Sequence, residues 1–164
     1  MRRAHAVHPI AALQMEYSLF ALDIESSTSE ILKTCRELGV AIVAFCPIGR
    51  GVLTGQFQSR EDIPEGDLRR MLPKYSEENF PKILELVQGL KDVANAHRST
   101  AAQVALAWLL AQGPEIIPIP GTKSTSKMDE NAASALLQLS DQEVQEIRTL
   151  VEGIEIKGTR YPGA

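Results

Sequence analysis

The residue types best suited to chemistry in this 164-residue sequence lie in one short segment, Pro120 to Asn131. It combines Gly121, small hydroxyl residues and the two lysines Lys123 and Lys127 immediately before a predicted helix. Backbone N–H groups at a helix N-terminus, together with positive charge, favour binding of phosphate groups. The segment therefore predicts an anion site, although an ordinary capped helix start with solvated lysines explains the same residues equally well.

A second candidate segment, 46–55, is rich in glycine and contains one arginine. Gly49 lets the backbone approach a ligand closely and Arg50 can grip an anion, but a simple turn is the commoner explanation. Phe45, just before it, offers either a flat face for an aromatic ring or a core side chain. Gln14 lies in an apolar run, where a buried amide needs a partner from a ligand or from neighbouring backbone.

The other reactive residue types form no recognisable site. The three histidines do not show the spacing of metal ligands. Cys35 and Cys46 have no CxxC spacing and lie in different settings, so neither a disulfide nor a zinc site is expected.

Composition limits the classes of partner. Seventeen Lys and Arg against 21 Asp and Glu give a net charge of −4, and without a long basic run this disfavours sequence-independent binding of nucleic acid. No apolar stretch approaches the roughly 20 residues that span a bilayer. The first residues lack a long apolar targeting segment. We therefore expect a cytoplasmic protein with no nucleic-acid or membrane partner.

Three apolar runs predict strands at 10–15, 40–45 and 116–120. The first is expected to be buried on both faces, and the third to be short or at a sheet edge because Pro118 and Pro120 lack the ladder donor. Strands that alternate with helices favour parallel pairing and right-handed crossovers. This α/β pattern brings the candidate segments to the carboxyl ends of the strands.

Capping boxes at Ser27–Glu30, Thr100–Gln103 and Ser140–Glu143 predict three helix starts. Gly39 is expected to end the first of these helices in a left-handed conformation.

The whole chain is interpreted as one partial domain over residues 1–164. Within it, 49–79 is expected to be a long loop that either covers a ligand or is a mobile surface loop, and 154–164 a loose tail.

Three stretches of the sequence together resemble the C-terminal part of the aldo-keto reductase family. They are Leu13-Gln14-Met15-Glu16-Tyr17-Ser18, residues Ala44 to Gly55, and residues Ile117 to Ser124 with Glu130-Asn131. Their order, their spacing and the helices between them all agree with the family. Residues Glu16 to Glu25 are particularly similar to the fungal and plant branch that includes pyridoxal reductase-like enzymes.

The resemblance implies a partial (β/α)8 TIM barrel containing about the last three βα units. In that family the barrel binds NADPH at the carboxyl ends of the strands and reduces small-molecule aldehydes or ketones to alcohols. Gln14 matches the glutamine that binds the nicotinamide carboxamide, and Phe45 matches the aromatic residue on which the nicotinamide ring stacks.

The resemblance also implies roles for the two glycine-containing segments. The pyrophosphate loop is matched by Cys46, Ile48, Gly49 and Arg50, although serine and leucine usually stand at the first two positions. The group that holds the adenosine 2′-phosphate is matched by Lys123, Ser124 and Lys127, and the adenine contacts by Glu130 and Asn131. Lys127 stands where arginine is common, and a lysine cannot bind phosphate through two parallel hydrogen bonds as arginine does.

The family's catalytic aspartate, tyrosine, lysine and histidine come from earlier strands, so the resemblance implies no catalytic residue here. We expect the chain to be truncated, and because three strands cannot close an eight-stranded barrel, to self-associate or to pair with a complementary half-barrel. Two alternatives stay open: a non-catalytic NADPH-binding or partner-docking remnant, and a purely structural half-barrel.

Overall fold

A computed structural model describes residues 1–158, in which three parallel strands form one sheet in the order β1-β2-β3. The strands are β1 (Ala12–Glu16), β2 (Ala41–Phe45) and β3 (Ile116–Ile119). The helices are α1 (Arg2–Val7), α2 (Ile31–Leu38), α3 (Leu68–Met71), α4 (Phe80–Ala96), α5 (Ala101–Leu110), α6 (Thr125–Ala133) and α7 (Asp141–Glu152). Short 3₁₀ helices occupy Asp23–Glu25, Gly49–Thr54, Arg60–Asp62, Pro73–Tyr75 and Ser134–Leu136. The second of these is interrupted by left-handed Arg50 and Gly51. The alternation of strands and helices confirms the predicted α/β class.

The two faces of the sheet differ in burial. Ile42 and Ala44 of β2 and Ile116 of β3 are buried in the core. The intervening residues form the opposite face, which we call the open face: Ala12, Gln14 and Glu16 of β1, Ala41, Val43 and Phe45 of β2, and Ile117 and Ile119 of β3. Ile117 and Ile119 remain 48% and 43% exposed. The chain thus covers only one side of its sheet.

The first strand departs from the sequence expectation in extent and in burial. It begins at Ala12 rather than Ile10, and Gln14, expected to be a buried amide, is exposed. Burial on both faces was wrong for β1 because an apolar run does not reveal which layers cover a sheet. As predicted, β3 is short and lies at a sheet edge in this chain.

Two of the three predicted capping boxes are confirmed. At α5 and α7 the side chains of Thr100 and Ser140 accept from the third helical N–H, and Gln103 and Glu143 reach back to the cap. The box at residues 27–30 was wrong, since α2 begins after Glu30, whose φ of 47° is left-handed. Its carboxylate instead pairs with Lys33 at 2.6 Å. Gly39 ends α2 with a φ of 66°, as expected.

The segment 49–79 folds into a succession of short helical turns joined by side chains that bind backbone carbonyls. The Arg60 guanidinium donates to the carbonyls of Tyr75 and Arg70 at 3.0 and 3.1 Å, and that of Arg70 donates to the carbonyl of Ile63 at 2.7 Å. These contacts hold the turns of the segment to one another.

The expected loose tail, 154–164, falls partly outside the described residues. Within 154–158, the buried amide of Asn79 donates to the Lys157 carbonyl at 2.7 Å and accepts from the Lys157 N–H at 3.1 Å. Ile154 and Ile156 pack against the core.

Candidate functional site

A cavity of about 400 Å³ lies between the loop after β2 and the start of α6. Its lining includes Ile48, Lys127, Glu130 and Asn131, four of the residues singled out from the sequence. The remaining lining residues are Gly51, Thr54, Gly55, Gln56, Ala102, Gly121 and Thr122. The two glycine-containing segments, about 70 positions apart in the chain, therefore line the same cavity from two sides.

Asn131 is the polar side chain of this cavity that most requires a ligand. It is only 9% exposed, and its side-chain amide makes no hydrogen bond to any other residue within 1–158. Buried amides in native proteins are normally satisfied by protein, water or a bound ligand. Because a side-chain amide both donates and accepts, a ligand with hydrogen-bonding groups fits this position.

The Glu130 carboxylate at the cavity accepts hydrogen bonds from two side chains. Lys127 Nζ donates to Glu130 Oε2 at 2.6 Å, and the Thr100 hydroxyl donates to Glu130 Oε1 at 2.8 Å. Burial acts to raise the pKa of Glu130, but the bonds from Lys127 and Thr100 outweigh it and hold the pKa below its ordinary value. Glu130 is therefore an ionised acceptor fixed at the edge of the cavity.

The loop on the other side of the cavity is a run of left-handed residues. Cys46, Gly49, Arg50, Gly51 and Gly55 have φ values of 51°, 56°, 54°, 85° and 76°. Gly49 is required for a second reason, since a Cβ there would lie 2.6 Å from the Phe20 ring. The backbone passes from Ile48, at φ −110° and ψ 29°, into left-handed Gly49, and the N–H groups of Gly49 and Gly51 donate within the turn to the carbonyls of Cys46 and Ile48, both at 3.0 Å.

Phe45 faces a second, larger cavity of about 740 Å³. Around it lie apolar Met15 and Phe20 and the charged pair Glu16 and Lys74. Lys74 Nζ is 4.0 Å from Glu16 Oε1 and donates to the Phe20 carbonyl at 3.2 Å. This space combines a flat aromatic wall with polar groups, as a site for a small polar organic molecule requires.

Six predicted site residues are absent from both cavity linings, namely Gln14, Cys46, Gly49, Arg50, Lys123 and Ser124. Gln14 is on the open face of the sheet, and Lys123 and Ser124 are exposed at the start of α6. Ser124 caps that helix, since its Oγ accepts from the Lys127 N–H at 3.4 Å. Cys46 is a half-buried free thiol in the turn after Phe45. The roles implied for these residues stay predictions.

Sequence reasoning missed Lys74, which lines the larger cavity, and it missed Tyr75 and Arg69, which lie outside both cavity linings. Tyr75 and Arg69 bind carbonyls of the left-handed loop. Weak periodicity in that segment gave no signal for them, because their partners are backbone atoms 19 to 54 positions away.

The family model described as "Aldo/keto reductase family" matches residues 1–152. The chain belongs to the aldo/keto reductase family. Its relatives include an aldo-keto reductase, str7, of Strobilurus tenacellus, 55% identical over 160 residues, which are 98% of this chain and 48% of the relative. The aldo-keto reductase yakc [NADP(+)] of Schizosaccharomyces pombe is 49% identical over 99% of this chain and 48% of its own length. The chain thus spans about half the length of the curated relatives it matches.

Solved structures of aldo-keto reductases share the fold. A glycerol dehydrogenase from Gluconobacter oxydans matches with a TM-score of 0.83 and 24% identity, over 94% of this chain and 46% of that one. An aldo/keto reductase from Klebsiella pneumoniae in complex with NADPH matches with a TM-score of 0.60 and 25% identity, over 94% and 43%. The predicted partial barrel is confirmed.

Two negative findings apply to the part of the chain that the structure describes. None of its helices is long and apolar enough to cross a membrane. None of its groups of three or more His, Cys, Asp or Glu side chains is arranged to hold a metal ion.

Proposed function

We propose that this chain is the NADPH-binding part of an aldo-keto reductase that reduces small-molecule aldehydes or ketones to alcohols. The observation that carries the proposal is the buried amide of Asn131, which faces a cavity of about 400 Å³ without a protein partner among residues 1–158. The printed name of the fission yeast relative includes NADP(+), and the Klebsiella structure is a complex with NADPH.

The residues around the cavity suit the parts of NADPH. Asn131 and Glu130 hold the adenine, and Lys127, Lys123 and Ser124 hold the 2′-phosphate at the start of α6, where the N–H groups of the helix favour an anion. Ile48, Gly49 and Arg50, together with the half-buried Cys46, would hold the pyrophosphate. Phe45 and Gln14 receive the nicotinamide, which when bound supplies the hydride for carbonyl reduction.

We propose that reduction needs groups beyond this chain. Carbonyl reduction requires a proton donor at the developing alkoxide. Burial raises the pKa of both Tyr17 and Tyr75, the opposite of what a proton donor requires, and both hydroxyls already donate within the protein. The open face, which is apolar at Val43, Ile117 and Ile119, fits a complementary half-barrel, since the matched relatives are about twice as long as this chain.

Turnover and binding together test this proposal. The purified chain is titrated with NADPH and assayed for NADPH oxidation with an aldehyde, alone and after mixing with the N-terminal half of the fission yeast relative. Binding without turnover by the chain alone, and turnover after mixing that Gln14→Ala reduces, support the proposal. No NADPH binding under any condition overturns it.

A second candidate function is a non-catalytic NADPH-binding module. The raised pKa values of Tyr17 and Tyr75 favour it, because neither buried tyrosine is prepared to donate a proton. It predicts NADPH binding that persists when no complementary half restores turnover.

A further inference from the structure

The left-handed loop after β2 is held in place by two side chains of the segment 49–79. The Tyr75 hydroxyl donates to the Gly49 carbonyl at 3.0 Å, and Arg69 Nη1 donates to the Arg50 carbonyl at 2.9 Å. Both acceptors belong to consecutive left-handed residues, at φ 56° and 54°. Two different side chains thus fix two adjacent peptide groups.

A non-glycine residue such as Arg50 adopts a left-handed conformation only at an energetic cost, so the surrounding contacts must impose it. Each peptide group is planar, with its C=O and its N–H pointing in opposite directions. Bonds that anchor the carbonyls of Gly49 and Arg50 therefore also fix the direction of the N–H groups of Arg50 and Gly51, of which that of Gly51 donates to the Ile48 carbonyl at 3.0 Å.

Tyr75 and Arg69 are themselves well anchored. Tyr75 is only 4% exposed. Arg69 is gripped by Asp67, with Nη2 2.7 Å from Oδ2 and Nε 3.0 Å from Oδ1, and its guanidinium lies 4.7 Å from the centre of the Phe57 ring. The bonds from Arg69 lower the pKa of Asp67 to about 2, so this carboxylate is ionised at neutral pH. Rigid donors of this kind hold an acceptor in one orientation.

The anchored loop borders the cavity through Ile48 and Gly51, on the wall opposite Lys127 and Asn131. Neither Tyr75 nor Arg69 lines that cavity. They therefore act on a ligand through the loop rather than by touching it.

We propose that Tyr75 and Arg69 are positioning residues that preform the pyrophosphate cradle of Gly49 and Arg50. This inference rests on the proposed function and deepens it, because it assigns part of the NADPH affinity to residues outside the site. A preformed cradle does not have to be ordered when the dinucleotide arrives, so less binding free energy is lost.

Two adenosine ligands separate this role from general stability. 2′-Phospho-ADP-ribose carries both the 2′-phosphate and the pyrophosphate, whereas 2′-AMP carries only the 2′-phosphate. In Tyr75→Phe and in Arg69→Met, we expect the dissociation constant of 2′-phospho-ADP-ribose to rise about fivefold or more, which corresponds to the loss of about one hydrogen bond. The dissociation constant of 2′-AMP should change less than about twofold.

Matched controls exist in the same chain. Tyr17→Phe removes the hydroxyl of the other buried tyrosine, which donates to Glu25, and Arg70→Met removes a guanidinium that binds the carbonyls of Ile63 and Glu61. Both should leave the ratio of the two dissociation constants unchanged.

The outcomes are distinct for the two proposals. If the wild-type chain binds neither ligand, the proposed function fails. If it binds both, and Tyr75→Phe weakens both equally or neither, the positioning role is overturned while the proposed function stands. Tyr75→Phe decides the matter if Arg69→Met does not fold, since it removes a single oxygen atom.

Discussion

Arg148 grips Glu25 through both of its terminal nitrogens, at 2.6 and 2.9 Å, although 123 positions separate the two residues. The Tyr17 hydroxyl donates to the same carboxylate, and the Arg148 guanidinium stacks 4.5 Å from the centre of the Trp108 ring. This cluster attaches α7 to the turn after β1. It therefore joins α7 to the segment that borders the larger cavity.

Arg148→Met should destabilise the chain by about 2 kcal/mol, because it leaves the Glu25 carboxylate beside buried Tyr17 without its cation. Urea unfolding measures the change. Arg36→Met is the control, since Arg36 pairs with Glu115 at the surface with 47% of its side chain exposed, and should cost no more than about 1 kcal/mol. Equal costs for the two variants would contradict a special role of the Arg148–Glu25 pair.

Glu143 should make the stability of the chain fall in acid. Bonds from the Ser140 backbone and hydroxyl, followed by the contact with His97 at 2.6 Å, lower the pKa of Glu143 from 4.5 to about 2. A carboxylate whose folded pKa is depressed contributes stability above its unfolded pKa, and that stability is lost as pH falls from about 4.5 toward 2.

The free energy of unfolding, measured by urea titration at several pH values, should fall less steeply over that range in Glu143→Gln. Glu152→Gln, which changes an exposed carboxylate at the other end of α7, is the control. A Glu143→Gln profile parallel to that of the wild type would contradict the assignment.

Gly49→Ala and Gly39→Ala separate backbone strain from crowding. Both glycines are left-handed, at 56° and 66°, but a Cβ at Gly49 would meet the Phe20 ring at 2.6 Å whereas a Cβ at Gly39 would meet nothing within 4 Å. We expect Gly39→Ala to cost about 1 kcal/mol and Gly49→Ala about 2 kcal/mol more. Differential thermal melting compares them.

The added variant Phe20→Ala tests the cause of that difference. Combined with Gly49→Ala, it should cost less than the sum of the two single changes, because the ring that crowds the new Cβ is gone. Strict additivity would show that the excess cost has another source.

The sequence predicted the parts of the fold that depend on local patterns. Gly39, Thr100 and Ser140 act as expected because caps and left-handed helix ends involve residues within four positions. The capping box predicted at Ser27 was wrong because α2 begins only after Glu30, which is itself left-handed. The prediction that Gln14 is buried was wrong, because burial depends on which layers cover a strand.

The sequence pointed to part of the lining of the smaller cavity but not to the side chains that support the loop beside it. Ile48 and Asn131 share a cavity, as their places after neighbouring strands suggest. Tyr75 and Lys74 lie in a segment without periodicity. They donate to the carbonyls of Gly49 and Phe20, which are 26 and 54 positions away. Side-chain bonds to distant carbonyls leave no local pattern in a sequence.

Calorimetric titration of the wild-type chain and of Asn131→Ala with NADPH tests the central claim most directly. We predict saturable binding at one site in the wild type and at least about tenfold weaker binding in Asn131→Ala, because the buried amide loses its bonds to the adenine. Lys82→Ala, at a surface lysine that binds the Glu155 carbonyl, should bind like the wild type. No saturable heat with the wild type, or equal affinity in Asn131→Ala, would contradict the account.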